Sequence, residues 1–255
     1  MAITKQETEI IIQTVQKGRL DFCILGKTPL IMNRMSQKVW FELLAPKGKK
    51  TMVEKASSMK HDPIKEFRDS PYRMSDPNAP TELALLPTMF KRAMGSAALD
   101  MPGAKKSQIG RLVYVEGLEV PVYGIPELFM AITRSADMNR TPDVRTRALL
   151  PEWACSLSVT FTKPMLREQS IVNLLSAAGF QSGVGDWRQE KGSGSYGSFA
   201  LVAPDDPDFV RITTTMGREQ QIEALANPIA HNDESSEMLG WFSVEAKRRG
   251  FAVAA

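Results

Sequence analysis

Between Trp153 and Thr162 the chain alternates cleanly. Trp153, Cys155, Leu157, Val159 and Phe161 fall on one side; Ala154, Ser156, Ser158 and Thr160 fall on the other. A period of two with one polar face predicts a half-buried strand. Arg19–Leu25 repeats the pattern, with Leu20, Phe22 and Ile24 set against Asp21 and Cys23, and Gly26 with Thr28-Pro29 ends it. Apolar runs at Ile109–Val115, Val120–Tyr123 and Phe199–Ala203 predict three shorter strands. The period turns helical after Pro87, where Phe90, Met94, Ala97, Ala98 and Met101 share a face and proline takes the first helical position. A second helix is predicted over Leu166–Ala178, with Gly179 as its C-terminal cap. Shorter helices are predicted near Ser36–Leu44, with Val39, Trp40, Leu43 and Leu44 on one side, and around Ser235–Arg249.

Two stretches interrupt this order. Lys47–Pro80 joins a lysine-rich run to proline-punctuated polar sequence, and Glu127–Pro151 carries Arg134, Arg140, Arg145 and Arg147 with little apolar period. Long segments of this kind inside a compact body are read as projecting insertions, the second as a hairpin or extended excursion. What remains reads strand, helix, strand, then strand, helix, strand. That order predicts an α+β fold with a ferredoxin-like split βαβ antiparallel sheet, helices on one face and the other face left for a partner. The body spans 1–204, with insertions at about 47–80 and 127–151; residues 205–255 form a C-terminal extension expected to be helical.

Composition narrows the chemistry. The net charge is +3, from 32 basic and 29 acidic residues, so a surface for a polyanion must be local. Lys47–Lys65, Lys105–Arg111 and Arg134–Arg147 lean basic, whereas Asp205–Glu237 is acid-rich. Cys23 and Cys155 fall in strand patterns as small core residues, without metal-ligand spacing. His61 and His231, the only histidines, lie in polar sequence. No GxSxG, phosphate loop or paired metal-binding carboxylates occur, so neither an enzyme nor a bound cofactor or metal is expected. No apolar run is long enough to span a bilayer and the polar N-terminus is unlike a signal peptide, which predicts a cytoplasmic chain without a membrane partner.

The richest stretch chemically is Gly179–Phe199, GFQSGVGDWRQEKGSGSYGSF. Gly183, Gly185, Gly192, Gly194 and Gly197 would let the backbone approach a ligand or take positive φ. Trp187 and Tyr196 offer stacking faces, and Arg188 and Lys191 offer phosphate contacts, the combination that single-stranded nucleic acid uses. An ordinary connecting loop fits the same composition equally well. In that reading Trp187 covers the sheet edge and Arg188 pairs with Asp186 or Glu190. Arg134, Arg140, Arg145 and Arg147 could extend a nucleic-acid surface. Lys27, Arg34 and Lys38 flank the first strand–helix turn, either as ligand contacts or as a solvated helix start.

The segments GKTPLIMNRMSQK, LLPTMFKRAMGSAALDMPGAKKSQIGRLVYVEG, PEWACSLSVTFT and IVNLLSAAGFQSGVGDWRQEKGSGSYGSF resemble an uncharacterised protein family of tailed phages and prophages, over most of Gly26–Val202. More remotely, the βαβ order, basic insertions and glycine-rich loop are similar to the RAMP superfamily, and within it to the backbone subunit that coats guide RNA in CRISPR effector complexes. GVGDW and GSGSYG depart from the usual RAMP glycine motif. The resemblance implies a thumb at Glu127–Pro151, a second projection at Lys47–Pro80 and an RNA-contacting loop at Gly183–Gly197. It also implies copies stacked into a helical filament and further effector subunits as partners. Some relatives cleave RNA with a histidine or aspartate; Asp62, Asp69 and Asp143 are conceivable acids, but a non-cleaving binder is the expectation. The leading reading is therefore a homo-oligomeric protein of the host-cell cytoplasm that binds single-stranded RNA or DNA. The alternatives are a phage single-strand DNA-binding or annealing protein and a structural component with no nucleic-acid role.

Overall fold

A computed structural model of the chain describes residues 14–35, 37–44, 59–134, 141–191 and 194–251. The architecture is α+β. The longest strand is β1 (Gln16–Gly26), paired antiparallel to β9 (Ala154–Lys163) on one side and to β10 (Phe199–Val202) on the other. Two short strands, β5 (Val113–Val115) and β6 (Val120–Tyr123), lie along the far side of β9. Beyond β6 come β4 (Leu83–Leu85) and β3 (Tyr72–Arg73), so the sheet runs β10–β1–β9–β6–β4–β3 with β5 beside β9. β9 and Trp153 just before it bury all five residues of the apolar row, from Trp153 to Phe161.

Helix α3 (Pro87–Ala97) leads from β4 towards β5, and α5 (Glu168–Ala177) leads from β9 towards β10. Both pack on one face of this sheet. Phe90, Ala93, Met94 and Ala97 of α3 and Ile171, Leu174 and Leu175 of α5 meet Ile24, Cys155, Val159 and Phe199 in the main core. Ile109–Leu112, expected as strand, belongs instead to helix α4 (Lys106–Leu112), with Ile109 buried. A single inward apolar residue in KSQIGRL fits one turn of helix over the core, and extended structure begins at Val113.

The opposite sheet face is only partly open. Helix α6 (Pro207–Thr215) sets Phe209 and Ile212 against Leu25 and Ala154 there. The uncovered part carries Lys17, Arg19, Asp21 and Glu116, paired with one another and therefore nearly neutral.

The described parts of the two interrupting stretches are built into the body. Of Lys47–Pro80, residues 59–80 are described, and they contain helix α2 (Pro63–Asp69). Asp62 caps α2 by accepting from the Lys65 amide, and Phe67 is wholly buried in the main core. Glu127–Pro151 forms a hairpin of β7 (Glu127–Arg134) and β8 (Pro142–Leu150), joined at its base by β2 (Leu30–Ile31). Leu128, Met130, Ala148 and Leu150 anchor it in the core, while Ile132, Arg134 and Arg145 stay exposed.

Residues 207–248 are helical: α6, α7 (Arg218–Ala226) and α8 (Asp233–Arg248). They are tied to the body by Gln221, whose wholly buried side chain accepts from the Glu82 and Leu83 amides and donates to the Val122 and Gly124 carbonyls. Four satisfied bonds are what a buried amide requires. Among the described residues no helix is long and apolar enough to cross a membrane.

Candidate functional site

The glycine-rich loop folds onto the second sheet, β2–β8–β7. In an antiparallel pair, directly opposed residues share a face. Phe129 opposes Arg147, and Ala131 opposes Arg145, so one face of the hairpin carries Phe129 and both arginines. Trp187 and Tyr196 lie on this face, their ring centroids 5.7 and 6.2 Å from that of Phe129 and 6.1 Å from each other. His231 meets the same ring at 5.8 Å, edge to face, and its Nδ1 lies 2.7 Å from Glu127. Ile31 and Leu149 floor the cluster, and Trp187 and Tyr196 remain partly open.

The glycines serve the chain's own packing. A Cβ on Gly194 would stand 1.6 Å from the Trp187 carbonyl oxygen, and one on Gly197 would stand 1.7 Å from that of Val184. Gly183 and Gly185, with φ of +68° and +85°, likewise press against Gly197 and Ile31. Backbone bonds fasten the loop: Val184 donates to Gly197, Asp186 to Ile31, and Gly197 to Pro29. The strap Thr28–Ile31 is held in turn by the Trp153 indole, which donates to the Thr28 carbonyl at 2.9 Å. Trp187 has φ of +47°, a region L residues rarely occupy, so its ring is held by the fold at a local conformational cost.

The charged residues divide. Arg188 is largely buried and bonds Glu190 at 3.3 Å, and Glu190 also accepts from Ser96 of α3. Through Glu190, Arg188 ties the loop to α3. Arg147 is half-buried. Among the described residues its buried Nε has no hydrogen-bond partner, and Nη1 donates to the adjoining Thr146 carbonyl. Burial pushes its pKa down and neighbouring Arg145 adds to this, against the opposing fields of Asp186 and Glu66. Arg145 is exposed one row further along. Lys27 is exposed where β1 meets the loop's end, and its amide donates to Ser198. Arg34 stacks over Trp40 at 5.1 Å, and Arg134 is exposed at the far end of β7. Lys38 lies in helix α1 (Gln37–Leu44) and Lys191 ends a 3₁₀ turn; their side chains, with Arg140 and Gly192 as a whole, lie outside the described residues.

Phe129 and His231 escaped sequence reasoning. Phe129 sits in an unbroken apolar run that hid its face, and His231 reaches the cluster because Leu128 and Ala230 form a parallel bridge.

At the hairpin's other end His61 sits between two carboxylates, with Nδ1 2.8 Å from Glu66 and Nε2 2.9 Å from Asp143. Asp143 also accepts from Lys60. The Glu66 hydrogen bond, against burial and aided by Asp143, raises the His61 pKa above 6.5. Burial alone would raise Asp143, but bonds from Lys60 and His61 outweigh it and hold the carboxyl below 3.8. The stability His61 contributes is full below its unfolded pKa and is lost as pH rises through the raised folded value. That of Asp143 is present above its unfolded pKa and is lost as pH falls through the lowered one. The clamp is therefore strongest in mildly acid solution. Raising the pH from about 6 to about 8 should lower the melting temperature of the native protein more than that of His61→Gln. Equal slopes would show that the clamp does not contribute to stability.

Fold and site together define an α+β protein with an aromatic and arginine-bearing surface fixed on a three-stranded sheet. The chain matches no protein-family model and no curated protein.

Proposed function

We propose that this protein binds single-stranded nucleic acid, RNA in preference to DNA, without cleaving it, and that copies assemble along the strand. The observation that carries this reading is the joining of two distant segments on one face: Trp187 and Tyr196 from the loop beside Arg145 and Arg147 from the hairpin. Stacking rings next to cations suit a strand that offers base faces and phosphates together. Arg147 adds a specific reason, since its buried Nε has no acceptor among the described residues. A guanidinium held in such a setting gains most from a charge-assisted partner such as a phosphate oxygen.

The fold is read as a ferredoxin-like, RAMP-like body. The antiparallel order β10–β1–β9–β6, with α3 and α5 on one face, supports the split βαβ connection. In this reading the ligand surface lies on the hairpin sheet, since α6 and neutralised ion pairs occupy the free face of the main sheet.

The test is fluorescence anisotropy with labelled RNA and DNA oligomers of one sequence, measured over a salt series. Arg145→Ala with Arg147→Ala should weaken binding and reduce the slope of log affinity against log salt by about 1.4, at about 0.7 per phosphate contact on a single strand. A native protein that binds neither oligomer at low salt would sink the proposal. Tighter binding to DNA would favour the annealing-protein alternative, because 2′-hydroxyl contacts are what select RNA. Labelled strands degraded with or without magnesium would contradict the non-cleaving part.

A further inference from the structure

An apolar groove of about 480 Å³ lies behind the hairpin, away from the aromatic cluster. Pro63 lines it from the start of α2, Met130 and Val144 from the hairpin, and Met238, Trp241 and Phe242 from α8. His61, Glu237 and Arg249 stand at its rim. Trp241 is 66% exposed, and Ile132 and Val244 are exposed as well. An exposed apolar groove of this kind on a folded protein marks a place where something docks.

The same chain carries an element shaped for such a groove. In α1, Trp40, Leu43 and Leu44 stand at i, i+3 and i+4, the spacing of anchors in helix-in-groove recognition. They are 42%, 68% and 83% exposed, and Phe41 beside them is 65% exposed. An eight-residue helix has little stability of its own in water, so its form depends on burying this stripe.

We propose that α1 of one copy seats in the groove between the hairpin and α8 of the next copy. Helix and groove are different surfaces, so the contact is head to tail, and every assembly keeps one free helix at one end and one free groove at the other. The proposal rests on the assembly part of the functional reading and names the two surfaces that make it. It concerns a site separate from the nucleic-acid face.

Two variants test it, each altered only at exposed residues: Leu43→Glu with Leu44→Glu on the helix, and Trp241→Glu in the groove. At concentrations low enough to dissociate the native protein, the melting curves of both variants should match its own, which shows that the body is folded. After nuclease treatment and without added nucleic acid, sedimentation should show the native protein forming multimers that grow with concentration. Each variant alone should be monomeric. A one-to-one mixture should stop at dimers, since it pairs the intact helix of one variant with the intact groove of the other and leaves only spoiled surfaces free. A monomeric native protein would overturn the proposal, as would a helix variant that still assembles or a mixture that stays monomeric. Multimers that form only on added RNA would also overturn it, while leaving the nucleic-acid reading intact.

Discussion

Trp187→Ala is expected to weaken binding of single-stranded RNA by about 5- to 150-fold, the effect of losing one stacked base at about 1–3 kcal/mol. The same substitution removes an edge-to-face contact with Phe129, so it should also loosen the loop. Trp187→Gly separates the two effects. Both variants lose the ring, but only glycine accepts φ of +47° without penalty, so Trp187→Gly should be the more stable by about 1 kcal/mol while binding equally weakly. Anisotropy titrations and thermal melts on both variants read these quantities independently. If both lower the melting temperature and neither changes affinity, the ring only anchors the loop and the stacking role fails.

The largest effect on stability is expected from Gly197→Ala. The new Cβ would stand 1.7 Å from the Val184 carbonyl oxygen, on a backbone with φ of +73°. A left-handed alanine costs about 1–2 kcal/mol and overpacking adds about 1–3 kcal/mol, giving a loss of about 2–5 kcal/mol. In a chain of this size each kcal/mol lowers the melting temperature by about 2–4 °C. Gly240→Ala is the matched control. It lies inside α8 with nothing within 4 Å of its Cβ, and alanine there should stabilise by about 0.5–1 kcal/mol. A melting temperature unmoved by Gly197→Ala would mean that the loop does not pack against itself as described.

The parts of the fold that could be read in the sequence are those with one buried face. β9 alternates because its outer row stays largely polar, and α3 shows its stripe because its large inward residues, Phe90 and Met94, recur at helical spacing. β7 was obscured for the opposite reason. Leu128 and Met130 enter the main core while Phe129 enters the aromatic cluster, so both faces are apolar and no period survives. α2 escaped because its seven residues allow only Ile64 and Phe67 to mark the inward side, amid polar neighbours. α7 has almost no apolar stripe, and it is held by Gln221, a residue type whose burial no hydropathy pattern announces.

The site followed the same division. Trp187, Tyr196, Arg145 and Arg147 stood out by residue type, but their meeting on one face depends on a pairing register between distant segments. The glycines stood out as well, and Gly183, Gly194 and Gly197 stand against the loop's own backbone while Gly185 stands against Leu30 and Ile31. The Glu190 that neutralises Arg188 was near in sequence, yet only the Ser96 bond from α3 fixes its position.

The placement of β1 has a consequence for how the protein is made. Leu25 pairs with Ala154 and Gln16 with Lys163, so β1, an inner strand of the main sheet, has no partner until Ala154 and the residues after it have left the ribosome. At about 5–20 residues per second this delay is on the order of 10 s. Throughout it Leu20, Phe22 and Ile24 form an uncovered apolar strand, the kind of segment that chaperones hold and that aggregates when they do not. Long-range pairing of this sort also slows spontaneous folding. Yield of the native protein should therefore depend more on translation rate and growth temperature than its final stability would suggest.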